Sequence, residues 1–160
     1  PSENMIGELG KGWDTLDTVL LKSAVAECAK MVGGCEKMIK FVTEYAKKRV
    51  QFGRPIGSFQ AIQHHCANMK TLLDTSALIT QRACWAINSS DDWKKDAAMC
   101  KAWAGESLRQ MIMLGHQVMG GFGFIEEVDL QLYYRRARAS ELVFGSSYHH
   151  RDNVAREMGL

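Results

Sequence analysis

His116-Gln117-Val118-Met119-Gly120-Gly121-Phe122-Gly123-Phe124 (HQVMGGFGF) sets three glycines within four residues, at the end of a stretch that otherwise reads as helix. A phosphate loop, a hinge and a plain helix stop compete to explain it. No Lys-Ser/Thr follows, so it is not a Walker loop. No strand precedes it and the spacing is wrong for a dinucleotide fingerprint. Periodicity favours a helix C-terminus closed by glycines in the left-handed region. Bare backbone beside the Gln117 amide would also let a flat ligand lie close.

The helix that this stretch ends is predicted from about Trp93 to His116, with Ala97, Ala104, Leu108, Met111 and Ile112 turned inward. Upstream of it, "NSSDD" is a break, in which Ser89 and Asp92 have capping-box spacing. A second long helix precedes the break, its seam running Phe59, Ile62, Cys66, Met69, Leu73, Ser76, Thr80, Ala83 and Ile87, with Ser58 as its expected N-cap. "FGRPIGS" is a turn. Before that turn, apolar residues keep the helical period from Leu16 to Ala46, with Gly33-Gly34 expected to interrupt the helix. A glycine pair there costs about 1 kcal/mol per residue against alanine. Downstream, a shorter charged segment ("EEVDLQLYYRRARASELV") leads to a last helix near Tyr148. Strand signals are weak throughout. The expected fold is all-α, an antiparallel up-and-down bundle of about four long helices.

Composition agrees: 46% of the 160 residues are hydrophobic and only two are proline, as a mostly helical globular domain requires. A net charge of +2 is too mild to argue for a nucleic-acid partner. No apolar run of about 18 residues exists, so no membrane span is expected. The polar, Gly-rich start (PSENMIGELGKGW) reads as a linker, residues 1–13, ahead of a helical domain at 14–160. The chain is therefore expected to be a piece cut at a linker. Five cysteines with no CxxC argue for reduced core thiols rather than a disulfide framework or a zinc site. His64-His65 and His149-His150 are adjacent pairs, and neighbours on a helix point about 100° apart, so no metal site is expected.

Two basic stretches remain. Arg49, in "RVQFGRP", could offer its planar fork to a diphosphate, or simply complement the dipole of its own helix. Spacing does not separate these readings. The "YYRRAR" segment reads as a solvated face with salt bridges.

Three stretches together resemble the acyl-CoA dehydrogenase family, in its C-terminal helical domain: "YAKKRVQFGRPIGSFQAIQHHCANM" (Tyr45 to Met69), "GHQVMGGFGFIEE" (Gly115 to Glu127) and "RRARASELVFGSS…R…VARE" (Arg135 to Glu157). The resemblance covers essentially the whole chain. It implies FAD in the full-length protein, with Arg49 on the diphosphate and Gln51 and Phe52 nearby. Gln117, Val118, Gly120 and Gly121 would meet the adenylate part. Gln60, Ser146 and Tyr148 join the expected cofactor contacts, and Gly145 and Arg156 the substrate contacts. It further implies an acyl-CoA substrate, an electron acceptor and a neighbouring subunit of a homo- or hetero-tetramer whose flavin the Arg49 and Gln117 segments reach. The expected location is the cytoplasm of a bacterium, or the mitochondrial matrix if the source is eukaryotic.

The reaction so implied is α,β-desaturation of the thioester. It needs a carboxylate against the α-carbon while hydride leaves the β-carbon for the flavin. The family's usual glutamate position is Phe144 here. Its alternative, early in the first helix, is about Ser23-Ala24. Neither is acidic. Arg136 is a further departure, where the family often has Asp. Glu141 is the nearest acid and reads as a surface charge; Glu27 and Tyr148 are further candidates, the latter weakened by a phenol pKa near 10. Three functions stay open: the C-terminal domain of a dehydrogenase, inactive by itself; a non-catalytic subunit of a hetero-oligomer; or a flavin-independent helical interaction module.

Overall fold

The apolar period of the first stretch is wound into one unbroken helix, α1 (Gly12–Lys48), in a computed structural model that describes residues 2–160. Pro1, the first residue of the expected linker, lies outside the described residues. Gly33-Gly34 does not interrupt α1. Gly34 faces Tyr133 across the helix seam, where a Cβ would stand 3.9 Å from its ring. Packing along both neighbouring turns outweighs the propensity cost of two glycines.

A two-residue hairpin follows, β1 (Val50–Gln51) pairing antiparallel with β2 (Arg54–Pro55). Its two central residues, Phe52 and Gly53, both have positive φ (53° and 77°), as a type I′ turn requires. A 3-10 turn, Ile56–Ser58, leads into α2 (Gln60–Ser89). Ser58 does not cap α2. Its hydroxyl donates to the Pro55 carbonyl at 2.7 Å within the 3-10 turn, and Phe59 takes the N-cap position. The expected capping box fails for a similar reason. Ser89 is the last residue of α2, while the Ser90 hydroxyl accepts the Asp92 N–H at 3.2 Å.

The third helix, α3 (Trp93–Met119), lies at the centre and is buried along most of its length. Small residues let its neighbours close in. A Cβ at Gly115 would stand 2.8 Å from Met38 Sδ, inside contact distance. At Gly120 the chain turns with φ 59° and ψ −144°, outside the left-handed helical region expected, and continues as a 3-10 turn, Gly120–Phe124. The glycine stretch is a helix stop, but one made by a reversal at Gly120 rather than by an αL cap. Two short helices complete the chain, α4 (Leu130–Leu142) and α5 (Ser147–Glu157), the latter capped by Ser146, whose hydroxyl accepts the His149 N–H.

The all-α antiparallel bundle expected from periodicity is therefore the fold, with three long helices and two short ones. Side-chain pairs fix the directions. Arg82–Asp96 and Trp103–Thr75 run α2 against α3, whereas Lys94–Asp17 and Gly115 against Met38 set α3 parallel to α1. The core runs from Leu21, Val25 and Cys28 through Met69, Leu73 and Leu108 to Leu130. Cys28, Cys35 and Cys100 belong to it, but Cys66 is half-buried and Cys84 is exposed. Cys84 is one residue past inward-facing Ala83, so it looks outward. No helix among the described residues is long and apolar enough to cross a membrane.

Candidate functional site

The reversal at Gly120 opens a cleft of about 870 Å³ between the end of α3, the 3-10 turn and the start of α4. Gln117, Gly120 and Gly121 line it, so three of the expected adenylate contacts lie in one place. Val118 does not join them through its side chain, which faces the core; only its main chain is left for a ligand.

Two residues not anticipated from the sequence define the cleft's chemistry. His116 is 7% exposed and neither ring nitrogen has a hydrogen-bond partner. Its ring packs on Phe124 and meets Tyr134 edge-on. Burial holds its pKa below the usual histidine value, so it is neutral at pH 7. Gln131 Oε1 is also buried without a partner. Buried polar atoms left unpaired cost free energy. Here they border an open cleft, where a ligand with donors and acceptors would satisfy them. Tyr134 and Arg135 add an aromatic face and a cation to the rim. Nothing in the one-dimensional pattern marks His116, since its burial follows from how α3 meets α4.

Arg49 lies at the same end of the bundle. Tyr45, one turn before it on α1, stacks on Phe122 of the 3-10 turn with ring centroids 5.4 Å apart. The Arg49 N–H closes α1 on the Tyr45 carbonyl at 2.8 Å. Its exposed side chain has no ion pair among the described residues. Phe52, at the hairpin tip, is 91% exposed with a left-handed backbone. A bulky residue in that region carries strain of about 1–3 kcal/mol. Gln51 bonds its neighbour's carbonyl, and Gln60 is the exposed first residue of α2.

The remaining expected contacts lie elsewhere. Gly145 and Ser146 sit in the α4–α5 connection and Tyr148 in the first turn of α5, whose first residue, Ser147, packs over Gly105 of α3. Gly105 and Gly120 are fifteen residues apart on one helix, or about 22 Å at 1.5 Å per residue. Arg156 is further along α5, beside a hollow of about 190 Å³ that Asp17 and Lys94 also line. The chain thus presents two separated groups of candidate contacts.

Around the α4–α5 connection the backbone is tightly held. Phe144 has φ 59° and Gly145 φ 100°. His150, 1% exposed, bonds the Phe144 carbonyl through Nε2 at 2.8 Å. Lys101, fully buried on α3, donates to the carbonyls of Ser140 and Glu141, the latter at 3.2 Å. Burial lowers the Lys101 pKa, while Cys28, Glu27 and Glu141 nearby act to raise it. A cation at carbonyls left open by the end of α4 also complements that helix's dipole.

Glu141 is not the surface charge expected. It is 8% exposed, its stem lies over Gly105, and its carboxylate is bound by Arg109 at 3.2 Å and by Arg138. Two arginines neutralise what burial would otherwise forbid. Glu27, half-buried on α1, accepts from the Ser140 hydroxyl and pairs with Lys30. Burial acts to raise its pKa, but Lys30, Ser140 and Lys101 together hold it below the usual carboxylate value.

A family profile for the acyl-CoA dehydrogenase C-terminal domain matches residues 10–159. Acryloyl-CoA reductase (NADH) of Anaerotignum propionicum is 31% identical over 158 residues, covering 99% of this chain and 40% of that protein. Among solved structures, butyryl-CoA dehydrogenase from Megasphaera elsdenii superposes with a TM-score of 0.94 at 27% identity, over 100% of this chain and 42% of that one. The FAD complex of PigA gives 0.90 at 30% identity, over 100% and 42%. The chain spans about two fifths of the length of the relatives it matches.

Proposed function

This chain belongs to the acyl-CoA dehydrogenase family as its C-terminal helical domain, and from that premise we propose that it is part of an FAD-dependent oxidoreductase acting on a CoA thioester. It contributes flavin contacts and a subunit interface. The observation carrying this is the cleft at the end of α3, where Gln117, Gly120 and Gly121 meet a buried His116 with two unpaired ring nitrogens. Those groups fit the heteroatoms of an adenylate. In that reading residues 1–13 link to the remainder of the polypeptide and residues 14–160 form the domain.

Arg49 holds the diphosphate through its fork, beside Gln51, Phe52 and Gln60. Ser146 and Tyr148 flank Ser147, which packs at Gly105, about 22 Å along α3 from Gly120. That separation supports an oligomer in which one chain serves two flavins, its own and a neighbour's. Gly145 and Arg156 face the thioester, and a further electron acceptor completes the cycle. When bound, FAD supplies hydride acceptance from the β-carbon. The protein's part is to orient the thioester and take the α-proton. The location that suits this function is the bacterial cytoplasm or the mitochondrial matrix.

A second reading, a non-catalytic subunit of a hetero-oligomer, is favoured by Phe144 in place of an acid. The test is the flavin content of the full-length polypeptide, followed by flavin bleaching on addition of butyryl-CoA under anaerobic conditions. A protein purified without flavin, and unable to take it up, would overturn both readings. Bleaching that occurs only with an added paralogue bearing the glutamate would select the second.

A further inference from the structure

Two contacts set the register between α1 and α4. Gly34 faces Tyr133, and Glu27 accepts from Ser140. Moving seven residues back along α1, from 34 to 27, matches seven residues forward along α4, from 133 to 140. The helices are therefore antiparallel and in step. α4 ends at Leu142, so the register is fixed as far as the level of Glu27 and Ser140, with Ser23 one turn before Glu27 on α1. Of the two positions expected from resemblance to hold a base, Ser23 lies on α1 one turn before Glu27 and Phe144 lies two residues past the end of α4, and neither is acidic. The first acid met along that seam is Glu27, one turn of about 5.4 Å from Ser23 on the same face of α1.

The other acids are committed elsewhere. Ser140 and Glu141 are consecutive on α4 and point about 100° apart. Ser140 faces α1, so Glu141 faces α3, where Arg109 of α3 and Arg138 of its own helix hold both of its oxygens. Its carboxylate is turned away from the seam. Tyr148 is largely exposed on α5 and carries a phenol. Phe144 lies just past α4, its carbonyl tied to His150, and carries no acid.

Resting on the family reading above, we propose that Glu27 is the proton acceptor of this chain: with Phe144 at the usual position, the thioester α-carbon seats one helical turn further along the α1–α4 seam, against a carboxylate held by Ser140 and Lys30. The Cα–H bond breaks, its electron pair stays on the thioester as an enolate, and the proton forms an O–H bond on Glu27. Ser140 donates to the carboxylate before transfer and fixes its rotamer. Lys30, on the outer side, keeps it ionised and ready to accept. The seam beyond has a hollow of about 250 Å³ floored by Met31, Cys35 and Ile112, which suits a short acyl group.

The experiment uses the full-length FAD-loaded polypeptide and methylthioacetyl-CoA, whose β-position is sulfur and has no hydride to give. Proton removal is then read alone, as deuterium uptake at the α-carbon in deuterated buffer by mass spectrometry. Wild type and Glu141→Gln are expected to exchange. Glu27→Gln is expected to slow exchange by at least about 100-fold, the usual worth of a general base, with flavin content and probe binding unchanged. Glu27→Asp is expected to restore part of the rate, which a merely structural role would not predict. Unchanged exchange in Glu27→Gln overturns the assignment. So does a wild type that holds FAD and probe yet does not exchange, and that result leaves the family reading standing. A wild type that holds neither overturns both.

Discussion

The ring of His150, buried on α5, bonds the carbonyl oxygen of Phe144 through Nε2 at 2.8 Å. That oxygen belongs to a residue with φ 59°, just past the end of α4. A neutral imidazole donates this bond and leaves Nδ1 buried and unpaired. This bond ties the α4–α5 connection to α5, and a proton added at Nδ1 would place a buried charge without a partner.

Acid should weaken this lock. Burial lowers the His150 pKa from its usual 6.5, the Phe144 bond acts to raise it, and nearby His149 and Lys101 lower it further. The unfolded chain then binds more protons than the folded one, so the contribution is complete above about pH 6.5. It is lost as pH falls from there toward the lowered native value. One such proton gives a slope of at most about 1.4 kcal/mol per pH unit. His150→Gln, which can donate the same bond without titrating, should flatten that slope in urea unfolding curves between pH 7 and pH 5.

Gly145→Ala should be among the costliest single-methyl changes in the chain. Gly145 has φ 100°, and a Cβ there would lie 2.6 Å from His149 Cδ2 and 2.9 Å from His150 Nε2. Strain and overpacking each contribute about 1–3 kcal/mol. Urea midpoints, with peptide-level hydrogen exchange across 143–150, would show the loss; an unchanged midpoint would mean that the loop relaxes freely.

Lys101→Met should destabilise by about 1–3 kcal/mol, because it keeps the buried stem but leaves the Ser140 and Glu141 carbonyls without their donor. Lys101→Ala should cost about 2 kcal/mol more for the cavity. Equal stabilities for Met and wild type in equilibrium unfolding would show that water replaces the ammonium.

In the full-length protein Arg49→Ala should weaken FAD retention by roughly 1.5–3 kcal/mol, the worth of a charge-assisted contact. Arg49→Lys should recover only part, lacking the planar fork. Flavin occupancy after gel filtration is the measurement, and occupancy equal to wild type would remove Arg49 from the site.

The domain should self-associate. Leu78 and Trp85 of α2 are 65% and 63% exposed, Trp103 of α3 is 45% exposed where it bonds Thr75, and Trp13 is exposed at the start of α1. Apolar surface on this scale is ordinarily covered by a partner. A monomer in light scattering at high concentration would count against it.

The sequence by itself determined the helical period of α1, α2 and α3, the inward faces of Ala97, Ala104, Leu108 and Met111, and the stop at Gly120. It could do so because amphipathic spacing and backbone-permissive residues are local properties, written within a few turns of chain. That an acid would be sought at Phe144 came from the resemblance to the family, not from any local pattern. Only the tertiary structure decided that Gly33-Gly34 stays helical, since Met31, Cys35 and Met38 on the flanking turns are held in a core built from distant residues such as Met69, Leu108 and Leu130. The same holds for Glu141 and Glu27. Both are acids on helices near the same position, and no local pattern separates them. One turns toward Arg109 of α3, with Arg138 of its own helix, and the other lies on the α1–α4 seam, because a side chain's surroundings are set by the helix packed against it.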